Sequence, residues 1–194
     1  MTTSYTVAPP VYDEAKFTEL LLYVASRLAG DKSNGSVKLN KVLFFSDFLF
    51  YSQTGKSITG AQYTKQPLGP APMGIVQLQE RLISTGQANM AVVTHGARAQ
   101  KMLFATREPD LSRFTADEIS LVERIIGVFS DSSAQMISDV SHEFPAWKVA
   151  REKEVIPYEA IHIYDGPITE DDVTHAETIA EELQEELSAA GLPG

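Results

Sequence analysis

The chain has 194 residues, 43% of them hydrophobic, no cysteine, and a formal net charge of −10 at pH 7. This length suits one domain, or one domain plus an appendage, with a sizeable core. The lack of cysteine excludes a disulfide framework, a thiol nucleophile and a cysteine metal site. The acidic balance disfavours broad electrostatic attachment to nucleic acid or to anionic membrane. The amino-terminal sequence lacks a basic region followed by an apolar one, so no secretory signal is expected and a cytoplasmic location is predicted.

The first elements follow from composition and periodicity. Residues 1–12 are rich in threonine and proline and are predicted to form a flexible amino terminus. A first helix is predicted over 13–29, ended by Gly30, because apolar residues recur at the spacing of one buried helical stripe. The stripe consists of Phe17, Leu20, Leu21, Val24 and Leu28.

A helix over about 37–53 is predicted to be the centre of the fold. Nearly every residue from 42 to 51 is apolar or aromatic, with Asp47 as an exception. A helix that is apolar on all sides should be covered on all sides. Ser36 is predicted to cap its amino end, and Gly55 is predicted to end it in a left-handed conformation.

Further elements follow along the chain. Glycines and prolines in 53–72 exclude a long helix, and Pro72 is predicted to lie in the first turn of a helix that ends before Gly86. Two short strands within 88–106 are predicted to form a hairpin. Thr115 and Glu118 have the spacing of a capping box at the start of a fourth helix.

The carboxy-terminal third contains a shorter helix over about 132–140 and an irregular segment over 151–167. A last helix is predicted over 169–190, with eight acidic residues and no lysine or arginine between Glu170 and Glu186. The predicted fold class is therefore α+β and predominantly α-helical, a helical bundle around the central apolar helix with one small antiparallel β-hairpin.

Three stretches together resemble one known family. They read KLNKVLFFSDFLFYSQTGKSITGAQY over 38–63, QPLGPAP over 66–72 and SHEFPAWKVAREKEVIPYEAI over 141–161. In order and separation they are similar to the Panacea domain of the SocA-like antitoxins, which also occur as phage-associated proteins of the GepA type. The resemblance implies a helical domain with a small β element that binds and neutralises a toxin encoded nearby. It also implies that a protease or chaperone can be a further partner, because some relatives act as proteolytic adaptors.

The resemblance divides the chain into a Panacea-like domain over 13–167 and an acidic helix and tail over 168–194, after the flexible amino terminus. The predicted partner-binding residues are Asn40, Lys41, Asp47, Tyr63, Pro67, Gly69, Pro70, Pro72, His142 and Trp147.

Each candidate also has a purely structural interpretation, which for Asn40 and Lys41 is local hydrogen bonding that fixes the 56–72 loop. Asp47 is either a partner-facing acid or, as we favour, a structural carboxylate bonded to backbone N–H groups or to Lys41. The 69–72 segment lacks the glycine density and the lysine of a phosphate loop, so a structural role is favoured there too. His142 is interpreted as a structural hydrogen-bonding residue, and Trp147 as a core or interface anchor.

Two other functions compete with an antitoxin. The hairpin and the helices before it resemble a winged helix that binds DNA, but the candidate recognition helix over 72–85 carries only Arg81 as a positive group. Nucleic acid is therefore a disfavoured partner. An enzyme ranks third, because no histidine pair has metal-site spacing and no nucleophile elbow is present. No metal, cofactor or membrane contact is expected.

Overall fold

The computed structural model describes residues 10–31, 34–95, 98–130, 132, 134–144, 147–148 and 150–162, and its central element is helix α2 (Ser36–Thr54). Helix α2 contacts α1 (Glu14–Arg27), α4 (Ala116–Phe129) and α5 (Ala134–His142). Every residue of α2 from 41 to 48 is buried. The predicted central apolar helix is confirmed, and so is the predominantly helical α+β fold class.

Aromatic rings dominate the core around α2. Phe48 lies at the centre of this aromatic cluster. Its ring centroid is 4.3 Å from that of Phe44 and 4.5 Å from that of Tyr158. Phe144 adds edge-on contacts to the same cluster. Large aromatic side chains bury much apolar area, so this cluster supplies a large share of the free energy of folding.

The helix ends are only partly as predicted. Gly55 ends α2 in the left-handed conformation with φ +71°, and Thr115 and Glu118 form both bonds of the capping box of α4. The predicted Ser36 cap is wrong. Helix α2 begins at Ser36 itself, preceded by Gly35, and no side chain in the described part of the chain caps it. The Ser36 hydroxyl instead lies 3.4 Å from the Lys101 carbonyl oxygen.

A three-stranded antiparallel sheet was not predicted. It consists of β1 (Tyr63–Thr64), β2 (Ala71–Pro72) and β5 (Val155–Ile156), in the order β2-β1-β5. Strands of two residues leave no alternating pattern in a sequence. Pro72 therefore lies in a strand, paired with Tyr63, and not in a first helical turn as predicted.

The chain then continues through helix α3 (Ile75–Ser84) into the predicted hairpin. Strands β3 (Ala88–His95) and β4 (Arg98–Ala105) pair antiparallel, with Ala88 opposite Ala105. The described residues all belong to the unit Met1–Ile163. The predicted acidic helix over 169–190 lies outside the described residues.

Candidate functional site

A cleft lies between the amino end of α2 and the loop that joins β1 to β2. Its volume is about 390 Å³, and we call it the α2 cleft. The lining includes Asn40, Lys41, Pro67 and Gly69, which were all predicted from the sequence as partner-binding residues. None of the described residues that line it is acidic, in a chain of net charge −10.

Lys41 is the central polar group of this cleft. The residue is only 1% exposed, and its ammonium donates a hydrogen bond to the Pro70 carbonyl oxygen, 3.1 Å away. Burial lowers the pKa of Lys41 to about 7. Desolvation disfavours the charged form of a lysine unless an opposite charge compensates it, and no carboxylate does so for Lys41 within the described residues.

Gly69 gives the loop its close approach to Lys41. Its φ is +91°, a conformation that favours glycine. A Cβ atom at this position would lie 2.4 Å from the Ser141 hydroxyl oxygen and 2.6 Å from the Lys41 ammonium nitrogen. The glycine therefore permits both the turn and the contact between the loop, α2 and α5.

We expect Gly69→Ala to destabilise the fold by about 2 kcal/mol or more, because backbone strain and a steric clash add. Gly74→Ala is the matched control, since Gly74 has φ +71° and nothing within 4 Å of its Cβ position. The control should cost only the strain, about 1 kcal/mol. Urea unfolding measures both values, and equal destabilisation of the two variants would contradict the close packing at Gly69.

Three residues form a stacked group beside the α2 cleft, which we call the Trp147 stack. The His142 and Trp147 rings stack with centroids 4.0 Å apart and planes 16° apart. The Lys65 ammonium lies 3.9 Å from the centroid of the Trp147 ring and donates to the Ala150 carbonyl oxygen. The first contact is a ring stack and the second a cation–π interaction.

Charges of both signs lie around His142, namely the Lys41 and Lys65 ammonium groups and the Asp139 and Glu143 carboxylates. Burial lowers the pKa of His142, and the nearby Lys41 ammonium lowers it further. The Trp147 Nε1 atom is buried and has no hydrogen-bond partner among the residues that the structure describes. Buried polar groups usually have a partner, so an unpaired donor in this stack marks a place where a further acceptor could bind.

Asp47 and Tyr63 form a separate buried group. The Asp47 carboxylate accepts hydrogen bonds from the Thr59 N–H at 2.7 Å, the Thr59 hydroxyl at 2.6 Å and the Tyr63 hydroxyl at 2.7 Å. Burial raises the pKa of Asp47 to about 6, although these hydrogen bonds oppose the rise. The structural interpretation of Asp47, with a backbone N–H as donor, is thus what the geometry shows, and Lys41 is not its partner.

The structure divides the ten predicted residues into two groups. One group surrounds the α2 cleft or lies in the adjoining stack: Asn40, Lys41, Pro67, Gly69, Pro70, His142 and Trp147. The other group lies within the fold: Asp47, Tyr63 and Pro72, all buried. Because these three side chains are buried, they would affect a bound partner indirectly, through the shape of the 58–63 loop and the small sheet.

Some residues of the site were not predicted. Lys65 was missed because no local pattern shows that its ammonium meets a tryptophan 82 positions later. Leu68 was missed although it lies in the quoted QPLGPAP stretch, and it is 60% exposed at the mouth of the cleft. The sequence did contain a signal for Leu68. It is an apolar residue between two prolines in a turn-rich loop, and such loops run over the protein surface.

The candidate recognition helix of a DNA-binding protein gains no support. Arg81 of α3 donates to the Glu14 carboxylate at 2.8 Å, so its charge is already paired. Phosphate contacts need available cations.

Among the described residues, no cluster of histidine, aspartate or glutamate could hold a metal ion, and no helix there has the length and apolar character to cross a bilayer.

Comparison with known proteins identifies the family. No curated protein and no solved structure is similar enough to match the chain. A family model matches residues 39–148, more than half of the chain, and its description is "Antitoxin SocA-like, Panacea domain". The matched region contains Lys41, the cleft loop and the Trp147 stack. The chain therefore belongs to the SocA-like Panacea-domain family of antitoxins.

Proposed function

We propose that this protein is an antitoxin that neutralises a cognate toxin by direct, stoichiometric binding and without catalysis. The observation that carries the proposal is the family match, because the matched residues include seven of the nine described residues that line the α2 cleft. The toxin would be encoded nearby, and both proteins would act in the cytoplasm.

The mouth of the α2 cleft is the surface that we propose for toxin contact. Leu68 and Pro67 are exposed there, and Asn40 is half-buried beside them. Trp147 lies half-buried in the adjoining stack, and tryptophan is enriched among the residues that dominate binding energy. An exposed apolar side chain next to an aromatic anchor and polar groups is a typical arrangement for a protein interface.

The charge of the chain favours a basic toxin. A net charge of −10 would speed association with a basic partner and disfavour acidic ones. The acidic sequence from Glu170 to Glu186 would add to this attraction. Delivery of the bound toxin to a protease, with or without a chaperone, would be an additional activity of the same complex.

The proposal predicts that the neighbouring small reading frame is toxic when expressed alone and harmless when expressed with this protein. The two proteins should also copurify in a fixed ratio. Growth of the host and affinity purification measure these outcomes. A toxic neighbour that is neither rescued nor bound would contradict direct neutralisation.

Surface variants test the proposed face. We expect Leu68→Glu to abolish rescue and copurification, because it places a charge in an apolar contact. Val92→Glu is the matched control, since Val92 is 64% exposed on the hairpin. Both variants should melt like the wild type. Full rescue by Leu68→Glu would place the toxin elsewhere, and truncation after Pro167 then tests the acidic segment.

A further inference from the structure

The α2 cleft contains a buried lysine, Lys41, whose ammonium has no counter-ion among the described residues, and the neighbouring Lys38 provides a comparison. Lys38 lies one turn earlier on α2 and is also fully buried, but its ammonium has the Asp31 carboxylate at 2.5 Å. Lys41 has only a peptide carbonyl as a hydrogen-bond acceptor in the described structure. A buried ammonium with a single neutral acceptor keeps unused hydrogen-bond donors.

Other donors face the same space. Asn40 lines the cleft, and its side-chain amide makes no hydrogen bond in the part of the chain that the structure describes. Ser36 and Val37 also line it, and they form the first turn of a helix that has no side-chain cap. The first N–H groups of a helix have no partner within the helix and carry partial positive charge.

None of the described residues that line the α2 cleft is negatively charged. The remaining lining consists of Gln66, Pro67, Leu68, Gly69 and Ala71, none of which carries a carboxylate. A site with an ammonium, an amide and free backbone N–H groups, but no acid, is complementary to an anion with several oxygen acceptors. A volume of about 390 Å³ leaves room for one such group.

We propose that the α2 cleft is an oxyanion-binding site that takes a single carboxylate or phosphate group, held by Lys41, Asn40 and the first turn of α2. The proposal concerns the protein alone, so it does not depend on the identity of the toxin. The group could belong to a small free anion or to a side chain or terminus of a bound protein. In either case the bound anion supplies the counter-charge that Lys41 lacks.

The test is a titration of the full chain with sodium phosphate and, separately, with sodium acetate, followed by two-dimensional amide NMR. Sodium chloride keeps the ionic strength constant and serves as the reference titration. We expect saturable shifts at the amides of Ser36, Val37, Asn40, Lys41 and Gly69. Saturation by phosphate alone or by acetate alone would identify the preferred group, and saturation by both would support a general oxyanion site.

Variants decide whether the shifts report this site. We expect Lys41→Met to weaken binding by about tenfold or more, because it removes a charge-assisted hydrogen bond. Asn40→Asp is a second variant on the helix surface that should fold and repel the anion even if Lys41→Met does not fold. Lys56→Met is the matched control, since Lys56 is exposed and lies outside the cleft.

Two results would overturn the proposal. One is the absence of saturable shifts with either anion, or shifts spread evenly over the protein. The other is unchanged affinity in both Lys41→Met and Asn40→Asp. Neither result would bear on toxin neutralisation, which the co-expression experiment measures separately.

Discussion

Phe48→Ala is expected to destabilise the fold by roughly 3–5 kcal/mol, the usual cost of emptying a buried phenylalanine site. Phe48 is 0% exposed and contacts Phe44, Tyr63, Phe144 and Tyr158, so its removal leaves a cavity at the meeting point of α2, the small sheet and the segment after it. These neighbours are themselves held from several sides, and they cannot collapse fully into the space. Thermal or urea unfolding measures the loss.

The matched control is Phe50→Ala, two positions later on the same helix. Phe50 is only half-buried, so the same truncation should cost clearly less. The proposed neutralisation of a toxin should fail with Phe48→Ala at temperatures where the variant is unfolded. A Phe48→Ala protein that unfolds like the wild type would show that α2 is not the centre of the core.

Asp47→Ala is expected to destabilise the fold by about 2–4 kcal/mol, because it leaves the Thr59 N–H and two hydroxyl groups without their acceptor in a dry environment. The Asp47 carboxylate is fully buried and connects α2 to the 58–63 loop. Asp139→Ala is the control, because Asp139 is an exposed acid on α5. A loss as small as that of the control would contradict the role of Asp47 as the acceptor that holds the loop.

The raised pKa of Asp47 predicts how the free energy of unfolding changes with pH. Burial raises the pKa of Asp47 from 3.8 to about 6, so between these values the folded state binds a proton that the unfolded state does not. Stability from this group is therefore fully present below pH 4 and is lost as the pH rises through 6. The loss amounts to roughly 3 kcal/mol at most.

Asp47→Asn isolates this effect, because an amide does not titrate. The free energy of unfolding of the wild type minus that of the variant should fall between pH 4 and pH 6 and stay constant above pH 7. The comparison cancels the contributions of Glu19 and Glu123, whose pKa values are lowered by arginine partners and whose effect has the opposite sign. A constant difference from pH 4 to pH 7 would mean that the Asp47 pKa is not raised.

The sequence determined the elements whose cause is local. The apolar run over 42–51 predicted the central helix because burial on every side requires apolar side chains on every side. Gly55 and the Thr115–Glu118 capping box predicted helix ends because both act within one turn. Three short stretches in order were enough to indicate the family, and four of the nine described residues that line the α2 cleft were predicted as site residues.

The tertiary structure alone decided how distant segments meet. Strand β5 pairs with β1 about 90 positions earlier, and two-residue strands carry no periodic signal that could reveal the pairing. The Trp147 stack joins Lys65 to α5 in the same way. Ser36 does not cap α2, because the helix begins at Ser36 itself. A capping residue must stand just before the first helical residue, and Gly35 takes that position.

The clearest example is the pair of buried lysines on α2. Lys38 and Lys41 look alike in the sequence KLNK, and both side chains point into the protein. Only the folded chain places the Asp31 carboxylate beside Lys38 and the neutral Pro70 carbonyl beside Lys41. Whether a buried charge is compensated depends on groups that the fold brings within a few ångströms, and local sequence does not record those distances.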